Sequence, residues 1–295
     1  TGMYLFGAPM SGAGSTLTIY ARSTDIPDDR FSGYTFGDAV YDPYESNSSA
    51  LVSRVEGTLD SRGEMKHPFN TDLAHKKMVT LETENAGKIE LKPHLALTVE
   101  NQVKDLGDRS VTSTKGSIVY ADDVFPGIKR NAYFATAGKP MGFQLVALNK
   151  NGRVEATGLT VEVFKRVYRT TETKGPGGST RKETTESLQR VSKQNLETGS
   201  RPVDYNFVPE EAGVYFIVAR TSSGAYARVP FYAGGAGYGF WGLSQDDRIE
   251  LIPEKTDYKP GDTARVLIQS PYEKATAIVT VEREKVFEQR TVELN

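Results

Sequence analysis

Short runs of alternating apolar and polar residues, each shut off by a glycine or proline turn, recur along this chain, and no convincing amphipathic helix interrupts them. Side chains that alternate with a period of two belong to strands with one buried face, so the pattern predicts an all-β fold. The clearest unit is the turn Tyr258-Lys259-Pro260-Gly261-Asp262 followed by residues 263–269. Proline presets φ at the first central position, the next glycine accepts φ > 0, and the aspartate can bond local backbone. A strand should follow at once, with Ala264, Val266 and Ile268 on one side and Arg265 and Gln269 on the other.

A second copy of this device lies upstream, where Gly138-Lys139-Pro140 precedes residues 143–148. Gly7 and Gly12 before residues 17–20 likewise resemble Gly152 and Gly158 before residues 159–164. Repeats about one domain length apart predict tandem antiparallel β-sandwiches, the first lacking its opening strand and the last its closing ones. The expected division is 1–123, 124–233, a glycine-rich linker at 234–247, and the start of a third unit at 248–295.

Between these landmarks, residues 25–49 carry Pro, Gly, Asp, Ser and Tyr without periodicity and predict a long surface loop pinned by Phe31, Tyr34, Phe36, Tyr41 and Tyr44. Gly57, Asp60, Gly63 and His67-Pro68 keep the next section in turns, and strand-like runs resume at 78–81, 95–103 and 117–120. Phe125-Pro126-Gly127 reads as the start of the second unit, and Asn149-Lys150-Asn151-Gly152 as a tight turn. Residues 170–200 predict an extended polar hairpin or a mobile loop, with a helix over 183–196 as the alternative. Strands at 205–208, 213–219 and 226–232 close the unit, and the third unit supplies 249–252, 263–269, 275–281 and 291–294.

The 36 basic and 38 acidic residues nearly cancel to a charge of −2, which argues against a nucleic-acid footprint. With no cysteine, the chain has no disulfide framework, thiolate metal site or cysteine nucleophile. No apolar run is long enough to span a membrane and no leader pattern opens the chain, and Thr1 as first residue reads as a piece with its leader removed.

Candidate chemistry is thin. Gly237-Tyr238-Gly239-Phe240-Trp241-Gly242 has the G-x-G-x-x-G spacing, but a strand rather than a helix follows, so a linker is the better reading. Residues 175–180 resemble a phosphate loop only in their glycines, since Lys174 and Lys182 are misplaced. His67, His75 and His94 share no spacing that would converge two of them on a metal. Gly12-Ala13-Gly14-Ser15 lacks the frame of a nucleophile elbow, and Glu210-Glu211 and Asp246-Asp247 read as solvated charge. Asn47-Ser48-Ser49 is a formal glycosylation acceptor. No catalytic, cofactor-binding or metal residue is assigned.

Residues 258–263, Ser270-Pro271, Ala275 and Val279-Thr280-Val281-Glu282-Arg283 together resemble the start of the bait-region domain of bacterial alpha-2-macroglobulins. Phe6-Gly7-Ala8-Pro9 with Gly12 and Tyr34-Thr35-Phe36-Gly37 is similar to an earlier macroglobulin-like domain of that family. Ala137-Gly138-Lys139-Pro140 with residues 149–152 is similar to the next, and the Trp241 segment before Asp246-Asp247-Arg248 to the join with the bait domain. The resemblance implies a scaffold, without enzymatic activity or cofactor, of a proteinase inhibitor that works by bait cleavage, rearrangement and entrapment. It implies proteinases as partners, a peptidoglycan-building penicillin-binding protein as a further one, and a periplasmic or envelope location, with membrane attachment only through a lipid anchor outside these residues. The chain departs from the full pattern in having no Cys-x-Glu-Gln thioester. An adhesive β-module array, and accessory β-domains of a carbohydrate-active enzyme, would use the same turns and strands.

The low apolar content of residues 170–200 and 234–242 makes these the expected first sites of limited proteolysis, detected by mass spectrometry of early fragments. First cuts within residues 143–148 would contradict the layout.

Overall fold

The structure, a computed structural model, describes residues 1–38, 49–75, 79–105, 107–174, 180–235, 249–270, 272 and 274–294. Its strands are β1 (Gly14–Thr24), β2 (Ala50–Thr58), β3 (Thr80–Thr83), β4 (Gly87–Glu90), β5 (His94–Lys104) and β6 (Ser110–Val119). They continue with β7 (Val124–Arg130), β8 (Phe134–Thr136), β9 (Met141–Asn149), β10 (Gly158–Lys174), β11 (Thr180–Glu197) and β12 (Val203–Phe207). The last are β13 (Gly213–Arg220), β14 (Tyr226–Gly234), β15 (Glu250–Pro253), β16 (Val266–Gln269), β17 (Ala275–Glu282) and β18 (Val286–Leu294). Helical structure among the described residues is one 3-10 turn (Asp29–Phe31) and the single-turn helix α1 (Thr71–His75). The all-β expectation is met.

The strongest core lies between two facing sheets. A three-stranded sheet, ordered β12-β9-β7, contributes Ile128, Met141, Phe143, Leu145 and Tyr205. Opposite it, β10, β13 and β14 of a seven-stranded sheet contribute Leu159, Val161, Val163, Tyr215, Ile217, Val229 and Phe231. Phe231 sits edge-on to Phe143 at 5.2 Å and stacks on Tyr215 at 5.3 Å. The Tyr215 hydroxyl donates to the Glu211 carbonyl at 2.8 Å, the corner contact of immunoglobulin-like sandwiches, and burial pushes that phenol up to about 12.

The seven-stranded sheet, ordered β4-β3-β11-β10-β13-β14-β8, is covered on its outer face too. There the hairpin β3–β4 lays Leu81, Ile89 and Leu91 over Phe164, Phe216, Val218 and Tyr226. Residues 213–219 are consequently buried on both sides, which is why the run Gly213-Val214-Tyr215-Phe216-Ile217-Val218-Ala219 shows no polar alternation. A separate sheet, ordered β2-β1-β5-β6, packs Met10, Ala13, Leu59 and Val103 at one end and Ala21, Ala74, Leu95 and Leu97 at the other.

Several local expectations need correction. Phe125-Pro126-Gly127, expected near the start of the second unit, lies in β7, an outer strand where a missing proline N–H is tolerated. Glycine is required at 127 because a Cβ would overlap the Phe36 ring lying on it. Residues 180–197 form a strand of a long hairpin, not a helix. β2 and most of β6 went unread because Ser, Thr and charged residues mask their alternation. After the turn, in which Gly152 N–H donates to Asn149 O at 2.7 Å, the chain crosses to the facing sheet instead of forming a long hairpin.

The turn at 258–262 forms as expected: Asp262 N–H donates to Lys259 O at 2.9 Å, Gly261 has φ +93°, and Asp262 Oδ2 accepts from Lys259 N–H at 3.0 Å. Gly138 at φ +76° closes the equivalent turn, with Lys139 N–H on Thr136 O at 2.9 Å, so Gly138 matches Gly261 and the prolines fall on opposite sides of it. The strand starts only at Val266, and its faces are not those expected, since Val266 is exposed and Gln269 is buried. Ile249, Leu251, Ile278, Val281 and Phe287 of β15–β18 and the residue preceding β15 are also exposed.

Phe231→Ala should cost about 3–5 kcal/mol by opening a cavity between the two facing sheets. Tyr215→Phe should cost about 0.5–1.5 kcal/mol through the lost hydroxyl bond. Urea denaturation midpoints at constant slope measure both.

Candidate functional site

Buried polar contacts tie segment 25–38 to the central sandwich and tie β10 to its neighbouring strands. Segment 25–38 crosses the outer face of the central sandwich, and each of its last residues is tied down. Asp25 Oδ1 accepts from Ile26 N–H at 2.9 Å and Phe36 N–H at 2.6 Å, and burial pushes this carboxyl up despite both bonds. Thr35 exchanges two backbone bonds with Ile128 of β7, at 2.8 and 2.9 Å. Phe36 is fully buried among Phe31, Tyr34 and Phe125. Gly37 O accepts from Arg228 N–H at 2.8 Å, and buried Asp38 binds Arg228 Nε at 2.6 Å and the Tyr226 hydroxyl at 2.9 Å. A carboxylate held by a guanidinium and a phenol away from water resists displacement, because separating them would strand charge in the interior.

A second lock holds the β3–β4 hairpin. Glu162 on β10 is completely buried, yet it receives Arg190 Nη1 from β11 at 2.9 Å and Arg220 Nε from β13 at 3.0 Å. Beside it, the Asn85 amide exchanges two 2.9 Å bonds with the backbone of Arg190, and Glu84 accepts from Ser187 Oγ at 2.7 Å. A third contact joins residues 254–265 to the sandwich. Tyr133 N–H donates to Glu254 O at 2.9 Å, Arg265 pairs with Glu254 at 3.1 Å, and its guanidinium lies 5.9 Å from the Phe134 ring centre. Lys255 pairs with Asp262 at 2.7 Å and holds that carboxyl below its usual range.

The residues weighed for chemistry do not come together as a catalytic set. His67 is exposed, His75 is half-buried and His94 is buried; Glu210 is exposed and Glu211 pairs with Lys165. Among the described residues no group of three or more His, Asp or Glu could hold a metal. Residues 237–242, 246–247, 47–48 and 175–179, with Tyr41 and Tyr44, lie outside the described residues. The three locks were missed in the sequence because their partners are remote. Glu162 reads as an outward residue of an alternating strand, and only Phe164 two positions on signals that its face is covered.

The fold is that of antiparallel, macroglobulin-like β-sandwich structure, with segment 25–38 fastened to the central sandwich by the buried Asp38–Arg228 pair. No family model matches the chain. It is nevertheless similar to bacterial alpha-2-macroglobulins along nearly its whole length. It is 26% identical over 301 residues to the alpha-2-macroglobulin homolog of Nostoc sp., covering 99% of this chain and 15% of that protein. The native conformation of Escherichia coli alpha-2-macroglobulin superposes with TM-score 0.58 at 18% identity, over 99% of this chain and 19% of that one. Trypsin-activated alpha-2-macroglobulin from Escherichia coli superposes with TM-score 0.52 at 19% identity, over 99% and 20%. The chain therefore spans less than a fifth of the length of the Nostoc relative.

Asp38→Ala should remove the buried carboxylate that holds Arg228 Nε and the Tyr226 hydroxyl, and free segment 25–38. The expected outcome is about 2–5 kcal/mol of lost stability and faster exchange of the Phe36 and Arg228 amides. Glu162→Ala should match that loss while leaving those two amides protected, as read by hydrogen exchange.

Proposed function

We propose that this chain is scaffold of a bacterial alpha-2-macroglobulin-type proteinase inhibitor, with no catalytic role of its own. The observation that carries the reading is the similarity over 99% of the chain, in sequence and in fold, to proteins of that name. The tied joints support it, since a scaffold that responds to cleavage must pass displacement from one unit to the next through contacts that hold or break as a set. In this reading residues 1–123 and 124–233 are successive macroglobulin-like domains, 234–247 links them to the next, and residues 248–295 open the bait-region domain. The parent protein would act in the periplasm or cell envelope. Its partners would be proteinases, as the trypsin-activated relative suggests, and a penicillin-binding protein.

Incubating the full-length parent with trypsin and elastase tests this. The expected result is a single early cut, a compaction visible on native gels, and proteinase that still cleaves small peptides but not proteins. Simple digestion, with neither compaction nor protected proteinase, would overturn it.

A further inference from the structure

We propose that His94, with His75 beside it, is an acid-operated catch between the β1–β2–β5–β6 sheet and the central sandwich, closed while the imidazole is neutral and released by its protonation. The inference rests on the joint and not on the proposed function.

His94 opens β5 and is fully buried. Its Nδ1 accepts from Ala121 N–H at 3.0 Å, on the connection that leads into β7. An atom that accepts from an amide carries a lone pair, so the neutral ring keeps its proton on Nε2. That Nε2 is sealed from solvent and makes no hydrogen bond of normal geometry, although the Phe36 backbone is near enough to favour a charged ring. Phe125 of β7 stands perpendicular to the ring at 4.6 Å and Tyr120 at 5.7 Å, and Phe125 in turn packs edge-on to Phe36 at 6.1 Å. One imidazole thus touches the sheet, the connection and β7, and through Phe125 reaches segment 25–38.

Protonation would turn Nδ1 into a donor facing the Ala121 N–H and would place a cation among aromatic rings. Burial accordingly holds this imidazole down at about 4, outweighing the Phe36 backbone, which favours the charged form. His75 on α1 adds to the push. The Pro93 carbonyl 3.1 Å from its Nε2 can only accept, so Nε2 is the donor and Nδ1, also sealed and unpartnered, bears the lone pair. Burial and then Lys92 hold His75 down, against Asp72. The remaining charged groups on the packed elements are engaged elsewhere: Asp38 with Arg228, Asp122 with Ser223 and Asp123 N–H, and Asp25 with two backbone amides. A two-histidine metal site is excluded, since the His94 lone pair is taken by an amide and its other nitrogen is protonated.

Above the ordinary imidazole value of 6.5 the catch is indifferent to pH. Below it, an opened joint takes up a proton that the closed one refuses, so the opening constant rises by nearly tenfold per pH unit at first and by about 160-fold at pH 4, where the closed imidazole also begins to titrate. His75, also depressed, acts in the same direction. Asp25, whose carboxyl is raised, is more readily protonated when closed and so opposes release nearer pH 4.

Hydrogen exchange of the whole chain at pH 7.0 and 4.5, corrected for intrinsic rates, tests the catch. The expected result is about 60-fold lower protection of the Phe36, Lys92, Ala121 and Arg228 amides at the lower pH, with β10 and β13 still protected. His94→Asn places an amide oxygen where Nδ1 lies, keeping the Ala121 bond without titrating, and should abolish the difference. Should that variant not fold, NMR titration of the wild-type imidazoles decides, with His94 expected near 4. Unchanged protection at pH 4.5, simultaneous loss in β10 and β13, acid opening that survives His94→Asn, or a His94 that titrates near 6.5 would each overturn the proposal.

Discussion

Everything in this molecule leans on one strand that has no wet face. β13 is apolar at every position from Val214 to Ala219, so it can exist only where both of its sides are covered. The three-stranded sheet covers one side and the β3–β4 hairpin the other. That requirement draws a hairpin from residues 80–90 onto a sheet whose other strands begin at residue 134, so segments remote in the chain interlock.

Interlocking explains where charge is buried. When a hairpin closes over a sheet face that also carries Glu162, the carboxylate must find cations on the neighbouring strands, and Arg190 and Arg220 supply them. Asp38 under segment 25–38 has the same problem and the same kind of answer in Arg228. Such pairs add little net stability over apolar packing of equal volume, but a displaced register leaves them unpaired at a cost of several kcal/mol. Their effect is therefore on register: Glu162 favours one alignment of β10, β11 and β13, and Asp38 one placement of segment 25–38.

Much of the fold was legible in the sequence because it is local. The Pro260-Gly261 turn, the Asn149–Gly152 turn and the strands around Phe143, Ile217 and Val229 are written in short-range pattern. What was hidden depends on partners far along the chain. Nothing near Gly127 in the sequence announces the Phe36 ring lying on it, and Glu162 reads as an outward strand residue although it is buried against Arg190 and Arg220. β6 escaped because its ten residues are almost wholly exposed, leaving no apolar face to signal a strand. Of the joints, His94 was visible only as an isolated histidine, since neither Ala121 nor Phe125 marks it by spacing.

The backbone bonds of Thr35 to Ile128 and of Glu254 to Tyr133 flank the same short stretch, residues 129–132. Arg130 stiffens that stretch, with its guanidinium 3.7 Å from the Tyr133 ring centre and Nη1 on the Pro230 carbonyl at 2.5 Å. The segment before the sandwich and the residues after it thus share one short anchorage, so that displacing either disturbs a stretch on which the other is mounted.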